Sequence, residues 1–215
     1  MRPVLLTAGA TRNRVDAIRY LSAHATGRTG VDLAARLARA GRPVHMLGSA
    51  EACLRAEVAL LRTPLPRPFT HAAFEGTRDL MARMEAHLRA APDSVLLHSA
   101  AVGDYEMAAS ETGKIPSGRE RLTLELVPAP KIVDHVRTWA PGCFLVSFKA
   151  AAPGTTLPEL ERIARAQALR TRSNLVFANV LGDIAHDVLL VDADRTRHFP
   201  TRDAALDALL AALPG

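Results

Sequence analysis

Residues 4 to 30, VLLTAGATRNRVDAIRYLSAHATGRTG, constrain this 215-residue chain more than any other stretch. A short apolar run, Val4 to Leu6, ends in the small residues Ala8, Gly9 and Ala10. A long loop follows and closes on Thr26, Gly27, Arg28, Thr29 and Gly30, and an Ala/Leu-rich helix is expected from Val31. A strand that reaches a helix start through glycines suits a phosphate, because backbone can approach the anion closely and the free N–H groups of the first turn point at it. The usual dinucleotide fingerprint turns directly from strand to helix. Here about twenty residues intervene, so the site is not an ordinary NAD site, and so long a loop inside a compact domain usually carries function.

Beyond this segment, apolar runs alternate with helical patterns. Strands are expected at Val44–Leu47, Ser94–Leu97, Phe144–Phe148, Leu175–Ala178 and Val188–Val191, the last hairpinned to His198–Phe199. Helices are expected at Asp32–Ala40, Ala72–Ala90, Pro130–Trp139, Leu157–Arg172 and Asp203–Leu213. Residues 52 to 70, with prolines at 64, 66 and 68, resist assignment. Residues 103 to 120 are polar and irregular, and LTLELV, Leu122 to Val127, alternates like an exposed strand. This alternation predicts one Rossmann-like domain over 1–215: three α/β/α layers around a mainly parallel sheet, with a small protruding strand and loop segment at 105–128. Ligands of such sheets sit beyond the carboxyl ends of the strands. Gly9, Ala100 to Asp104, Phe148–Lys149 and Asn179 all fall there.

Composition excludes several classes. Forty-eight per cent hydrophobic residues and ordinary charge mean a globular chain rather than a disordered one. Cys53 and Cys143 stand far apart without metal-like spacing, so neither a disulfide framework nor a thiolate metal site is expected. No apolar run approaches transmembrane length and no signal peptide is recognised, which makes a soluble cytoplasmic protein the expectation. The net charge of +5 comes from arginines scattered singly among acids, without basic runs or interleaved aromatics, so a nucleic-acid partner is not expected. Short-chain reductases need a tyrosine with a lysine four residues on, and neither Tyr20 nor Tyr105 has one. Lys114, Lys131 and Lys149 are the only lysines in an arginine-rich chain. Either that is chance, or a site needs a compact ammonium rather than a planar fork.

Five segments carry a sharper signal: LLTAGATRNRVDAIRYLSAHATGRTG; SAAVGDY, Ser99 to Tyr105; GKIPSG, Gly113 to Gly118, with the alternating segment and LVPAPKIV after it; LVSFKAA, Leu145 to Ala151; and LVFANVL, Leu175 to Leu181. In this order and spacing they resemble the phosphopantothenate–cysteine ligase (phosphopantothenoylcysteine synthetase) family of coenzyme A biosynthesis over nearly the whole chain. The TWAPGCFLVSFK stretch looks most like the stand-alone form of that DNA/pantothenate metabolism flavoprotein C-terminal domain, without the flavin-binding decarboxylase domain. The resemblance implies an enzyme that condenses 4′-phosphopantothenate with cysteine. CTP or ATP, with Mg²⁺ bound mainly through its phosphates, first activates the carboxylate as an acyl-nucleotide; no flavin is implied. It also implies a homodimer joined through residues 105 to 128.

Such chemistry needs a phosphate cradle, a base pocket, positive charge on the transferring phosphate and a grip on the acid. Gly9, Gly27 and Gly30, with the Thr26 hydroxyl, fit the cradle; the alternative is turn glycines that touch nothing. By resemblance, Phe148 packs against the base and Asn179 hydrogen-bonds to the nucleotide, against the alternatives of a core aromatic and a turn asparagine. Ala100, Ala101 and Asp104 match the loop that lines phosphopantothenate and nucleotide, and Asp104 is either a substrate or Mg²⁺ contact or a cap. Lys114 matches the lysine of the family's flexible loop, which neutralises charge on the α-phosphate. By resemblance, Lys149 follows Phe148 as in stand-alone relatives and suits a phosphate contact, and Arg19 matches the opening-loop arginine that holds the substrate carboxylate or phosphate; the alternative for Lys114 is a surface lysine, and for Arg19 one more arginine among many. With Lys114 and Asp104, Arg19 completes the expected catalytic set. His24 and His98 read as structural, and Lys131 as a surface residue.

Two departures accompany the resemblance. The family carries asparagine where this chain has Ala23, and serine or threonine where it has Ala25. The asparagine amide contacts the acyl-nucleotide in relatives, which opens the alternative of a divergent nucleotide-binding homologue with another acid or amine, or without catalysis. The fused bacterial forms also carry lysines where this chain has Gln167 and Thr171, beside Arg170 and Arg172.

Overall fold

The computed structural model describes residues 1–60 and 69–215; the prolines at 64, 66 and 68 lie outside the described residues. In chain order the elements are β1 (Val4–Ala8), β2 (Arg12–Arg14), β3 (Tyr20–Ser22), α1 (Arg28–Arg39), β4 (Val44–Gly48), α2 (Ala50–Leu60), β5 (Phe69–Ala73) and α3 (Thr77–Ala90). Then follow β6 (Val95–His98), β7 (Tyr105–Met107), β8 (Leu126–Pro128), α4 (Ile132–Trp139), β9 (Phe144–Ala151), α5 (Leu157–Thr171), β10 (Leu175–Val180), β11 (His186–Val191), β12 (Thr196–Thr201) and α6 (Arg202–Ala211).

Eight strands form one sheet in the order β12-β11-β10-β9-β6-β1-β4-β5. Six of them, β5 through β10 across that order, run parallel, and β11 and β12 close the far edge as an antiparallel hairpin. The parallel strands are near-continuous apolar runs because helices cover both faces. On one face Leu6, Val95, Leu97, Val146 and Phe177 pack against Leu33, Leu37 and Ala34 of α1, Ala52 and Ala56 of α2, and Leu206 and Leu209 of α6. On the other, Leu5, Leu96 and Leu145 meet Leu80, Met84 and Leu88 of α3 and Val136 and Trp139 of α4. Leu160 and Ala164 of α5 cover Val176 and Ala178. Full burial of Leu33 and Leu37 stabilises α1 on the sheet by roughly 1.5–3 kcal/mol each.

The strand order reverses beside β1. From β1 the chain winds outward through α1, β4, α2 and β5, and then returns through α3 to β6 on the other flank of β1. The crevice beyond the carboxyl ends of β1 and β6 is therefore the switch point of the fold, where doubly wound sheets bind their ligands.

Several expected boundaries move. Helix α1 begins at Arg28, so Gly30 lies inside its first turn. The loop after β1 is not featureless: β2 and β3 pair as a short antiparallel hairpin. The helix expected over Ala72–Ala90 is two elements, because Phe69–Ala73 pairs in parallel with β4 at the sheet edge and Gly76 then breaks the chain before α3. Of the strand expected at Leu122–Val127 only Leu126–Pro128 pairs, with Tyr105–Met107, and forms a small separate ribbon. The hairpin of β11 with β12 is present, as is strand β10, which continues to Val180 and places Asn179 within the strand.

Candidate active site at the switch point

The end of β1 and two helix starts meet. Gly9 has φ +91°, and a methyl group there would overlap the Ser49 hydroxyl. Ser49 leads into α2: its amide donates to the Ala8 carbonyl at 2.9 Å and its Oγ accepts from the Ala52 amide at 3.3 Å, capping the helix. Gly27 precedes α1, and a Cβ on it would stand 2.7 Å from the Ala52 Cβ and 3.0 Å from the Gly9 nitrogen. Neither position can carry a side chain, so the backbone at Gly9 and Gly27 is brought together without screening. The first intrahelical bond of α1 runs from the Val31 amide to the Gly27 carbonyl at 3.0 Å. No side chain caps that end and no acid stands in its first turn. The N–H groups ahead of Val31 lack intrahelical acceptors and carry the positive end of the helix dipole, which is the chemistry an anion requires.

Gly30 packs α1 against the sheet: a Cβ there would lie 2.6 Å from the Ala8 Cβ and 2.8 Å from the Ser99 Oγ. The missing Cβ allows close helix–strand approach, while the Gly30 amide stays among the free donors ahead of Val31. Residues 99 to 101 are tied to β1 from beneath. Ser99 Oγ donates to the Thr7 carbonyl at 2.6 Å, the Ala100 amide donates to Thr7 Oγ1 at 3.1 Å, and the Ala101 amide donates to the Gly9 carbonyl at 2.8 Å. The Thr7 hydroxyl also shares a hydrogen bond with His98 Nδ1 at 2.9 Å. Burial pushes the His98 imidazole down to about 4, so it is a neutral structural partner. Beyond this point Thr11 Oγ1 accepts from the Gly103 amide at 2.9 Å and Asn13 Nδ2 donates to the Tyr105 carbonyl at 2.8 Å. The whole 99–105 loop is laced to the opening segment.

A cleft of about 360 Å³ opens beside the cradle, lined by Ala10, Arg12, Tyr20, residues 22 to 26, Ser49, Glu51 and Arg55. Thr26 and Ala23 both face it. The Arg12 guanidinium stacks 4.6 Å over the Tyr20 ring and pairs with Glu51.

The Arg19 turn is organised around Asp16. That buried carboxylate pairs with the Arg19 guanidinium and accepts from the amides of Ile18 at 2.9 Å, Arg19 at 2.7 Å and Ile115 at 3.0 Å. Burial raises the Asp16 carboxyl, and the hydrogen bonds from Ile18, Ile115 and Arg19 outweigh it, holding the group at about 2. Because the folded value lies below the ordinary 3.8, the ionised form favours the folded turn above that value, and this support is lost as pH falls toward about 2. The Ala17 amide donates to the Gly113 carbonyl at 3.2 Å. Asp16 therefore pins Gly113–Ile115, and with it the exposed Lys114, against the Arg19 turn. Asp16→Ala is expected to speed amide exchange at Ile18, Arg19 and Ile115 by at least about tenfold at neutral pH. Unchanged protection in hydrogen–deuterium exchange would remove Asp16 as the organising group.

The remaining candidates divide. Phe148 and Asn179 share the sheet face covered by α1 and α6. Phe148 is half-buried and stacks on Phe177 with centroids 5.0 Å apart, so one side of its ring belongs to the core. Asn179 is buried, and among the described residues its Nδ2 donates only to the Val180 carbonyl at 3.3 Å. Lys149 pairs in register with Ala178 and points to the opposite face, toward α5, away from the cradle. Asp104 is exposed and ion-paired with Lys131, which is a surface residue as expected. Sequence pattern had no means of pairing Thr7 with Ser99 and Ala100, because these partners lie far apart along the chain.

Switch-point cradle, uncapped helix start and laced loop define a doubly wound α/β protein with free backbone donors at the carboxyl rim of its sheet. The chain belongs to the DNA/pantothenate metabolism flavoprotein C-terminal domain family, whose profile matches residues 1–203. A curated relative, the coenzyme A biosynthesis bifunctional protein CoaBC of Thermococcus kodakarensis, is 36% identical over 203 residues, covering 92% of this chain and 46% of its own length. The chain thus spans about half the length of the curated relatives it matches. Among solved structures, the DNA/pantothenate metabolism flavoprotein from Streptococcus pneumoniae superimposes with a TM-score of 0.82 at 27% identity, covering 98% of this chain and 97% of that one. A Cab2 mutant in complex with phosphopantothenate-cysteine shares the fold, with a TM-score of 0.76 at 16% identity over 98% of this chain and 88% of that one.

Proposed function

We propose that this chain is a phosphopantothenate–cysteine ligase using CTP or ATP, acting in the cytoplasm. The observation that carries the reading is the meeting of Gly9, Ser49 and Gly27 at an uncapped helix start, in a chain of this family. Relatives named for coenzyme A biosynthesis, and the Cab2 structure holding phosphopantothenate-cysteine, support the substrate class. They do not favour the alternative of a homologue without catalysis.

The steps follow from what the site offers. The triphosphate lies along Gly9 and Gly27, with its anionic oxygens toward the start of α1. The base packs on Phe148, and Asn179 supplies an amide to the nucleotide. The phosphopantothenate carboxylate, in the cleft beside Thr26 and lined by the Ala100–Ala101 backbone, attacks the α-phosphorus. Pyrophosphate leaves and a mixed anhydride forms. The cysteine amine then attacks the acyl carbon, the nucleoside monophosphate leaves, and the amide remains. Lys114 and Arg19, on two segments joined through Asp16, bring positive charge to the transferring phosphate and the acid. Mg²⁺ would enter with the nucleotide, held mainly through its phosphates. When bound, it neutralises phosphate charge. The test is pyrophosphate release: it is expected only when nucleotide, Mg²⁺ and phosphopantothenate are all present. No release with either nucleotide across a panel of acids would overturn the proposal.

We also propose that the enzyme is a homodimer through residues 105 to 128. Leu122, Leu124 and Leu126 alternate along this segment and are 44%, 37% and 40% exposed, and the β7–β8 ribbon has free edges that invite pairing. Leu124→Asp should convert a dimer into a monomer in light scattering at micromolar concentration. A dimer unaffected by the substitution places the interface elsewhere. Among the described residues, no helix is long and apolar enough to cross a membrane.

A further inference from the structure

Arg202, the first residue of α6, is half-buried on the α1 face of the sheet. Its guanidinium lies 5.1 Å over the Phe177 ring. Nη1 donates to the Ile184 carbonyl at 3.2 Å and Nη2 to Thr29 Oγ1 at 2.5 Å. All three partners are neutral, and two donors are used where a guanidinium has five. Among the described residues Arg202 forms no ion pair. Its nearby acids are engaged elsewhere: Arg36 binds Asp32 at 3.0 Å, Asp203 at 2.9 Å and Asp207 at 2.6 Å. Burial pushes the Arg202 guanidinium down, and Asp203 and Asp32 compensate in part. A half-buried cation whose nearby acids are tied to another arginine leaves room for an anion to complete it.

Thr29 stands in the first turn of α1, two residues beyond Gly27. The contact to its hydroxyl therefore puts the Arg202 charge beside the uncapped helix start, while Phe177 links Arg202 to Phe148 on the adjoining strand. We propose that Arg202 is a nucleotide-binding residue: its remaining donors contact the phosphate chain lying at the start of α1, and Arg36 holds the neighbouring carboxylates away from it. This rests on the ligase reading for the identity of the anion. It assigns the phosphate contact to a residue near the end of the chain, outside every motif of the opening loop.

Binding of inorganic tripolyphosphate and of the free nucleosides cytidine and adenosine, measured by calorimetry, separates charge recognition from base recognition. Arg202→Gln is expected to weaken tripolyphosphate binding about ten- to a hundredfold, with nucleoside binding unchanged. Equal tripolyphosphate affinity in the variant and the unaltered protein, or a parallel loss for nucleoside, would overturn the proposal and leave Arg202 as an anchor for α6. If Arg202→Gln melts too low to titrate, Arg36→Met carries the test. It leaves Arg202 in place and frees Asp32 and Asp203 to pair with it, and tripolyphosphate affinity should fall; unchanged affinity would overturn the proposal. Turnover by the unaltered protein, which tests the ligase reading, does not enter this experiment, so the two can fail separately.

Discussion

Gly9→Ala is expected to reduce nucleotide affinity by on the order of a hundredfold or more and to lower stability by about 1–3 kcal/mol. Two costs combine. At φ +91° an alanine pays the left-handed penalty, and its methyl would occupy the space of the Ser49 hydroxyl, so the backbone must move. That movement separates the end of β1 from the starts of α1 and α2, which are the parts that converge on the anion. Gly154→Ala is the control. Gly154 has φ +82°, and nothing lies within 4 Å of the place its methyl group would take, so it carries the backbone penalty alone and should leave nucleotide binding intact. Equal loss of affinity in both variants, read by calorimetry alongside thermal melts, would show that the cradle is not at Gly9.

Ala23→Asn is expected to raise turnover. Ala23 is exposed on the wall of the cleft beside Thr26, so the larger side chain has room. The family resemblance implies that an asparagine at this position contacts the acyl-nucleotide through its amide, which a methyl group cannot replace. One preorganised donor at a reacting centre is worth on the order of 10²–10³ in rate. The gain should appear in the amine-dependent second step, observed as faster decay of the acyl-nucleotide when cysteine is added, with pyrophosphate release changed much less. An unaltered decay rate would mean that another group has taken the role of the missing amide.

The sheet was legible wherever strands are buried on both sides. Val4–Ala8, Val44–Gly48, Val95–His98 and Leu175–Val180 are apolar runs between turn residues, and a run of that kind bounded by small residues has few other uses. Strand β5 was not legible because it lies at the sheet edge and is half polar: Phe-Thr-His-Ala-Ala contains two good helix formers that run on toward α3, and only pairing with β4 makes the segment a strand. The β2–β3 hairpin is three residues a side and takes its order from Asp16 and Asn13, contacts that no periodicity encodes. In the site, Gly9 and Gly27 could be read because a close backbone approach demands glycine. Arg202 could not, since one arginine among many carries no mark until Phe177, Thr29 and Ile184 are seen around it. Lys149 shows the opposite error: adjacency to Phe148 in sequence puts it on the other face of the sheet, because side chains alternate along a strand.

The most direct test of the central claim, that this rim joins a triphosphate to a carboxylic acid, follows the carboxylate oxygen. Phosphopantothenate labelled with ¹⁸O in its carboxylate is incubated with cysteine, Mg²⁺ and CTP or ATP, and the products are weighed by mass spectrometry. Attack on the α-phosphorus predicts phosphopantothenoylcysteine together with a nucleoside monophosphate carrying one ¹⁸O atom and unlabelled pyrophosphate. Label in inorganic phosphate, or no amide product with either nucleotide, would contradict the account.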